Sequence, residues 1–274
     1  MDLNILAYTA GFFDAEGSIT LKKFETNTNP RYQIDVRLSS QNKTVLYEIK
    51  KYFSNKGSIR SKSDNKSVLE LVYTAKHALY FLQQIEPFLI LKKHETNLAI
   101  KFEKTLVRIY GHTLPSIVIY QREQMKNEMA YIHKNRGKFG KIDKKYLLPY
   151  FAGLVDGDGY IGILHKNTLT LTVVSKYQKF LTYLYKQISS GFITPNSNAY
   201  HWTISSKGAK VLLQKITPYL IIKKPEANLA ITFQSSINSL NRRPLDKKTM
   251  LKRQHLIESI NKMHLGKGQA KYYH

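Results

Sequence analysis

The chain has 274 residues and a formal net charge of +24, from 43 Lys and Arg against 19 Asp and Glu. With 42% hydrophobic and 12% aromatic residues it can bury an ordinary core, which excludes a chain that is disordered throughout. The absence of cysteine excludes disulfide scaffolds, thiol nucleophiles and cysteine-based metal sites. So large a positive charge repels itself unless the partner is a polyanion. Nucleic acid is therefore the leading candidate partner, and an anionic membrane surface is the second.

The first copy of a repeated unit begins with an apolar segment that predicts a buried helix over 5–15. The N-terminus, Met1 to Phe13, is a poor signal peptide because it carries Asp2 and no Lys or Arg, and no apolar run in the chain approaches the roughly 18 residues of a membrane span. A strand follows, and polar and apolar residues then alternate over 31–41, which predicts a second strand with one buried face. The remaining predicted elements are a helix over 43–53, a hairpin of 58–62 with 68–74, and helices over 77–88 and 93–104.

The second half of the chain repeats the first in the same order. The segment IEPFLILKKHETNLAIKF at 85–102 returns as ITPYLIIKKPEANLAITF at 216–233, and TAGFFDAEGSI from Thr9 returns as FAGLVDGDGYI from Phe151. These collinear matches indicate an internal duplication. The predicted elements of the second copy are helices over 148–157 and 176–188, a hairpin of 192–196 with 200–205, and helices over 209–219 and 225–234. The fold class is therefore α+β, with tandem αββαββα repeats.

A basic segment lies between the two copies. Residues 134–145, KNRGKFGKIDKK, carry six basic residues, one acid and two glycines, so a solvated tether and a tether that contacts phosphates both fit. We divide the chain into an N-terminal repeat (1–133), a basic linker (134–145) and a C-terminal repeat (146–274). The last helix repeats apolar positions of the first copy and is expected to be docked, with only 266–274 frayed.

Small residues four apart occur in the first helix of each copy. They are Gly11 and Ala15 in one copy and Gly153 and Gly157 in the other. Residues at this spacing share a helix face, and small side chains let two backbones approach closely. We expect these two helices to pack against each other.

Each of these helices also ends on an acidic residue, Glu16 or Asp158. Helices packed side by side would bring the two acids together at one end. Paired carboxylates beside a basic surface are typical of divalent metal sites that hydrolyse phosphodiesters, and Mg²⁺ needs only oxygen ligands.

The segments TAGFFDAEG (9–17) and FAGLVDGDG (151–159) resemble two copies of the LAGLIDADG motif. The chain, over 6–233, resembles the single-chain, two-motif LAGLIDADG homing endonucleases. That resemblance implies two pseudo-symmetric halves whose motif helices form their interface. It also implies two antiparallel sheets that form a saddle along the DNA major groove. The implied activity is double-strand cleavage of a long, pseudo- or non-palindromic site by a monomer with Mg²⁺ or Mn²⁺. The implied location is intracellular, with an organelle (mitochondrion or chloroplast) and a prokaryotic cytoplasm both open.

The resemblance also implies roles for single residues. The eighth motif residues, Glu16 and Asp158, would bind metal, helped by the carbonyls of Ala15 and Gly157. The basic residue that lines the active site corresponds to Lys92 and Lys223. A shift of the alignment by one residue would give Lys93 and Lys224 instead. The water-ordering polar residues correspond to Gln41 and Lys176, and the sixth motif residues, Asp14 and Asp156, are expected to be structural.

The polar strand faces are candidate DNA-reading surfaces, because strands in the major groove present side chains to base edges. An ordinary solvated sheet face is the alternative. The candidate readers of the first copy are charged and those of the second are mostly neutral, so the two half-sites should differ. The candidates are Arg31, Gln33, Asp35, Arg37, Arg60 and Lys62 in the first copy, Thr170, Thr172, Thr194, Asn196, His201 and Thr203 in the second, and Lys141 and Lys144 for phosphates.

Two other functions stay open at this point. Some members of the resembling family are RNA maturases that help an intron to fold, alone or alongside cleavage, so intron RNA is a second candidate partner. The second open function is a DNA-binding regulator that kept the fold but no longer cleaves DNA. Acidic residues at both eighth motif positions make this function the less favoured one.

Overall fold

The computed structural model describes residues 2–27, 29–62, 64–106, 114–165, 167–237 and 246–265. The chain divides into two compact units, Met1–Gly153 and Leu154–His274. The predicted division at 134–145 stays a prediction, and the predicted frayed end, 266–274, lies outside the described residues. Within the described part of the chain, no helix combines the length and apolarity that crossing a membrane requires.

The first unit begins with a helix capped by a carboxylate. Asp2 accepts a hydrogen bond from the Asn4 backbone N–H at 2.9 Å, which satisfies one of the N–H groups that a helix start leaves without an intrahelical partner. The elements of this unit are α1 (Leu3–Glu16), β1 (Gly17–Phe24), β2 (Arg31–Ser40), α2 (Lys43–Tyr52), β3 (Ser58–Ser61), β4 (Leu69–Thr74), α3 (Ala75–Ile85), a 3₁₀ turn (Glu86–Phe88), α4 (Lys93–Lys104), α5 (Ser116–Lys134) and the first part of α6 (Lys144–Asp158).

The strands of the first unit form one antiparallel sheet in the order β1-β2-β4-β3. The apolar face of β2 is buried from Tyr32 to Leu38, as the alternation predicts. Aromatic rings extend this core between sheet and helices: the Tyr73 ring stacks on Phe81 with centroids 4.6 Å apart, and Phe53 lies 4.7 Å from Phe81. One face of the sheet is thus fixed to the core, and the other is left for polar side chains.

The second unit repeats this arrangement with a sheet in the order β5-β6-β8-β7. Its core is formed around Trp202, which is fully buried and donates its indole N–H to the Ser190 carbonyl at 2.9 Å. Its elements after α6 are β5 (Gly159–Leu164), β6 (Thr168–Ser175), α7 (Gln178–Ile188), β7 (Phe192–Asn196), β8 (Ala199–Ser205), α8 (Ser206–Ile216), α9 (Lys224–Ser236) and α10 (Lys247–Leu265).

The predicted α+β repeat is confirmed, and each copy continues beyond αββαββα with two further helices. The final helices α5 and α10 begin 131 residues apart, at Ser116 and Lys247, which is the same offset as the sequence match. Leu256 and Ile260 of α10 are buried, so this helix is docked as expected.

The helix that carries the second motif begins earlier than predicted. The apolar pattern of the sequence predicts a start at residue 148. Instead Asp143 caps the helix, since its carboxylate accepts the Lys145 N–H at 3.1 Å, and Pro149 lies inside the helix. The cap therefore adds a full turn before the proline.

Gly153 of α6 lies directly against the backbone of α1 within the first unit. A Cβ at this position would clash with the Tyr8 carbonyl oxygen and would lie 2.8 Å from the Phe12 nitrogen. Backbone atoms cannot rotate away as a side chain does. The close approach of α6 to α1 therefore requires glycine at this position.

We expect Gly153→Ala to destabilise the protein despite the better helix propensity of alanine. Propensity alone would favour alanine by about 1 kcal/mol, whereas overpacking a tight contact costs about 1–3 kcal/mol or more. Thermal unfolding measures the net effect. Gly137→Ala is the matched control because its Cβ would meet only the Asn135 carbonyl, at 3.8 Å. Equal unfolding temperatures for the two variants would contradict the close helix contact.

Candidate functional site

The two acids near the end of each motif helix have opposite environments. Asp14 and Asp156 are buried, with 1% and 4% of their surface exposed, whereas Glu16 is half-buried and Asp158 is exposed. Residues two apart on a helix point to nearly opposite sides. Each helix therefore turns its sixth motif residue into the core and its eighth motif residue outwards.

Asp14 accepts hydrogen bonds from three successive backbone N–H groups. Its Oδ2 accepts from Ile90 and Leu91 at 2.9 Å each, and its Oδ1 accepts from Lys92 at 2.8 Å. The Tyr150 hydroxyl donates to the same carboxylate at 2.6 Å. Complete burial raises the pKa of Asp14, and the Lys92 charge and the hydrogen bonds oppose that shift. We call this set of N–H···carboxylate bonds the aspartate anchor.

The second unit has the same anchor. Asp156 accepts from the backbone N–H groups of Ile221, Ile222 and Lys223 at 2.7, 3.0 and 2.8 Å. In both units the anchor joins the end of the motif helix to the PFL-like segment of the sequence repeat. The two matched segments of each copy are therefore in direct contact at the sixth motif acid.

Lys92 and Lys223 lie beneath the ends of the motif helices. Lys92 Nζ donates to the carbonyls of Phe13, at 2.8 Å, and of Asp14, and Lys223 Nζ donates to Val155 and Asp156 at 2.8 and 2.9 Å. A cation there satisfies orphan carbonyls and opposes the negative end of the helix dipole. Each ammonium group is thus bound to carbonyls that lie two and three residues before the outward acid.

The neighbouring lysines have other surroundings. Lys93 Nζ pairs with a carboxylate oxygen of Glu86 at 2.9 Å, and Lys224 is exposed. Only Lys92 and Lys223 therefore occupy equivalent places under the motif helices. Gln41 and Lys176 are exposed immediately beyond the ends of β2 and β6, so their water-ordering role stays a prediction.

One face of the first sheet carries the predicted charged side chains. Cross-strand pairing places Arg37 opposite Ser18 and Val72, and Arg60 opposite Glu70. Arg31 and Arg60 are exposed, Gln33 is half-buried, and Lys62 follows β3 with 40% of its side chain exposed.

Asp35 differs from the sequence expectation. It lies on this face, but only 2% of it is exposed because Lys22 and Arg37 cover it, with Nζ and Nη2 at 2.5 and 2.8 Å from its Oδ2. Burial opposes its charge, yet hydrogen bonds from both cations hold the pKa of Asp35 below its ordinary value. Asp35 is therefore a partner of neighbouring cations and lies beneath the surface it was expected to form.

The equivalent face of the second sheet is neutral. The sequence predicts exposed side chains at Thr170 and Thr172, but only 2% and 3% of these residues are exposed. Thr170 lies between Gly162 and Ser205 and donates its hydroxyl to the Gly162 carbonyl at 3.3 Å, and Thr172 lies between Tyr160 and Thr203. Thr172 shares a hydrogen bond with the half-buried Thr203 at 3.2 Å. The pairing also places Thr194, His201 and Asn196 on this face, and Asn196 lies 3.3 Å from His201.

Three contributors to these faces are missed by sequence reasoning. They are Lys22 of β1, Glu70 of β4 and Phe192 of β7, which is 55% exposed opposite Thr203. Alternation within each strand gives the signal for all three, once the cross-strand register is known.

The linker is held against the first unit. Arg136 pairs with the buried Glu95, and the Gly140 N–H donates to the Ile90 carbonyl at 2.7 Å. Lys141 and Lys144 are exposed, as a phosphate-contacting segment requires. This part of the segment is therefore bound to the first unit, and both interpretations of the exposed remainder stay predictions.

A second repeated contact follows the same 131-residue offset, although neither arginine was singled out from the sequence. The Arg122 guanidinium donates to the Thr105 carbonyl, and Arg253, 131 residues later, donates to the Ser236 carbonyl and to its Oγ at 3.0 Å. Both arginines therefore fix the last helix of a unit to the end of the helix before it.

Among the side chains that the structure describes, no group of three or more His, Asp or Glu residues converges as a metal site. Each unit instead presents one outward carboxylate at the end of its motif helix. Any metal held there would depend on these single acids, backbone carbonyls and water.

Comparison with known proteins identifies the family. A family model described as LAGLIDADG endonuclease matches residues 9–105. The DNA endonuclease I-CreI of Chlamydomonas reinhardtii is 30% identical over 117 residues, which cover 38% of this chain and 71% of that protein. The chain belongs to the LAGLIDADG endonuclease family. The family match includes the first motif and ends after α4.

Solved structures of LAGLIDADG homing endonucleases share the fold along most of the chain. I-GzeII, in complex with its DNA target, is 18% identical with a TM-score of 0.72, covering 92% of this chain and 97% of that one. I-LtrWI, bound to target DNA, is 15% identical with a TM-score of 0.73, covering 94% and 98%. The two-motif, single-chain prediction is thereby confirmed at the level of the fold.

The two acids of one motif should differ in what they contribute to stability. Asp156→Asn breaks hydrogen bonds to a buried charge, so we expect unfolding free energy to fall by at least about 2 kcal/mol. Asp158→Asn changes an exposed residue and should stay within about 0.5 kcal/mol. Urea denaturation of both variants measures the difference. Similar losses in the two variants would contradict the assignment of Asp156 as the anchor.

Proposed function

We propose that this protein is a site-specific double-strand DNA endonuclease, encoded by an intron and acting on a long, non-palindromic target. The observation that carries the proposal is the contrast at the motif helices. The carboxylates of Asp14 and Asp156 accept backbone N–H groups in the anchors. At equivalent places in the two units, Glu16 is half-buried and Asp158 is exposed. Family membership and the +24 charge support the same function.

We propose a divalent metal, Mg²⁺ or Mn²⁺, as the cofactor. The donors available are hard oxygens, the carboxylates of Glu16 and Asp158 and the carbonyls of Ala15 and Gly157 in the last helical turn, and these suit such an ion. When bound, the metal would lower the pKa of a water and offset charge on the phosphate.

Lysine side chains of the protein support this place. Lys92 and Lys223 donate to the carbonyls of residues 13–14 and 155–156, two and three residues before each acid, and keep a positive charge near the helix end, which also favours an approaching phosphate. Glu16 has the longer side chain of the two acids, so the two strands need not be cut at equal rates.

The proposed partner is double-stranded DNA, bound by one chain per site because the chain itself contains both motif copies. The strand faces would lie in the major groove, and the exposed linker lysines would contact phosphates. The relatives described above are named as DNA or homing endonucleases, and no observation favours the RNA maturase.

The activity is tested by incubating the protein with a randomised DNA library and sequencing the cut ends. We expect cleavage at one defined site with Mg²⁺ or Mn²⁺, and binding without cutting in Ca²⁺. Glu16→Gln or Asp158→Asn should abolish cutting of at least one strand while DNA affinity stays nearly unchanged. Full double-strand cleavage by the double variant would remove both acids from the mechanism.

The linker lysines should act on all DNA alike. Each phosphate contact contributes about −0.9 to the slope of log K against log salt, so Lys141→Ala should flatten that slope by about this amount on cognate and scrambled duplexes. Lys51→Ala, an exposed lysine on α2, is the control and should leave the slope unchanged. An effect of Lys141→Ala on the cognate duplex alone would contradict a phosphate contact.

A further inference from the structure

Charges of alternating sign cross all four strands on the polar face of the first sheet. Asp35 Oδ2 lies 2.5 Å from Lys22 Nζ and 2.8 Å from Arg37 Nη2, and Glu70 Oε2 lies 3.5 Å from Arg37 Nη1 and from Arg60 Nε. These five residues, from β1, β2, β4 and β3, form what we call the charged band.

The two signs of the charged band lie at different depths. Asp35 and Glu70 are 2% and 4% exposed, whereas the side chains of Lys22, Arg37 and Arg60 are 34%, 30% and 51% exposed. A buried carboxylate is costly unless cations pair with it. The acids therefore lie beneath the cations and restrain them from below.

Arg37 shows how far this restraint goes. Its Nε and Nη2 donate to Asp35 at 3.0 and 2.8 Å, and its Nη1 lies 3.5 Å from Glu70. The remaining N–H groups of the guanidinium are left for a partner outside the protein, in a fixed plane. A side chain held in this way has already lost the freedom to reach for the nearest phosphate.

The bases that suit this surface follow from its donors. Guanine presents two acceptors, O6 and N7, in the major groove, and Arg or Lys bonded to them is the commonest specific contact in protein–DNA complexes. The second sheet offers the exposed Thr194 and Phe192 and the half-buried Thr203 in place of cations, and threonine methyls and aromatic rings suit the thymine methyl. The two faces therefore have different base preferences.

We propose that Lys22, Arg37 and Arg60 read guanines in the half-site bound by the first unit. Asp35 and Glu70 are then positioning residues that hold these cations in register and off the phosphates. The inference rests on the proposed function, because it names the bases that the DNA-binding face recognises. It gives Asp35 a role in specificity that needs no contact with DNA.

Removing one of these acids should have an effect on binding that loss of stability cannot mimic. The variant gains positive charge and releases a cation, so affinity for scrambled DNA should rise. Discrimination should fall at the same time, because the released cation no longer favours guanine over a phosphate.

The experiment selects bound duplexes from a randomised library, without a cleaving metal, and compares the wild type with Asp35→Asn and Glu70→Gln. The wild type should require guanines in one half-site only. Both variants should lose roughly tenfold or more in discrimination at those positions, the scale of one good base contact. They should bind scrambled DNA several-fold more tightly and keep their preferences in the other half-site.

Glu123→Gln is the matched control. It removes one negative charge from α5, where Glu123 pairs with Lys23 and Lys126, away from the charged band. It should leave the base preferences unchanged. Loss of guanine preference in this variant would attribute the effect to net charge and overturn the proposal.

The outcomes separate this inference from the proposed function. A wild-type protein that enriches no sequence would contradict site-specific DNA binding itself. A defined site without guanine in either half, or an Asp35→Asn variant that weakens cognate and scrambled binding equally, would overturn the inference alone. If Asp35→Asn unfolds, Lys22→Gln and Arg60→Gln test guanine reading directly, and each should relax one or two positions.

Discussion

The aspartate anchor is the contact on which the rest of the site depends. A single buried carboxylate at the end of each motif helix accepts three successive backbone N–H groups, of residues 90–92 in one unit and 221–223 in the other. Bonds to a charged acceptor are stronger than neutral ones, and loss of the acceptor would leave several N–H groups buried without partners.

The anchor also determines what can lie beside the outward acid. Because the third N–H belongs to Lys92 or Lys223, the anchor fixes the backbone of the lysine whose ammonium holds the helix end. Acid, lysine and carbonyls are thus brought together by local geometry within each unit. Preorganisation of this kind removes the need to reorganise polar groups during a reaction.

Much of this arrangement is predictable from sequence because it follows periodicity and repetition. The burial of alternate residues from Tyr32 to Leu38 and the docked α10 follow from patterns read along the chain, and the structural role of the sixth motif acids follows from the family resemblance. The internal repeat strengthens these predictions. A single lysine or acid indicates no role by itself, whereas the same residue type at the equivalent position of both copies does.

What sequence does not predict depends on contacts between distant residues. The burial of Asp35 requires Lys22 on the neighbouring strand, and a one-residue change of register would place that lysine on the other face. The guanidinium groups of Arg122 and Arg253 donate to backbone carbonyls. Because every residue has a carbonyl, no side-chain pattern marks the acceptor.

The most direct test of the account replaces the metal with Fe²⁺ in the DNA complex and generates hydroxyl radicals with ascorbate and peroxide. Cleavage of the polypeptide then reports, by mass spectrometry, which residues lie beside the ion. We predict cuts next to Glu16 and Asp158 that excess Mg²⁺ suppresses, and that Glu16→Gln and Asp158→Asn remove at their own positions. Cuts that map elsewhere, or that persist in both variants, would contradict the assignment of the outward acids as the metal ligands.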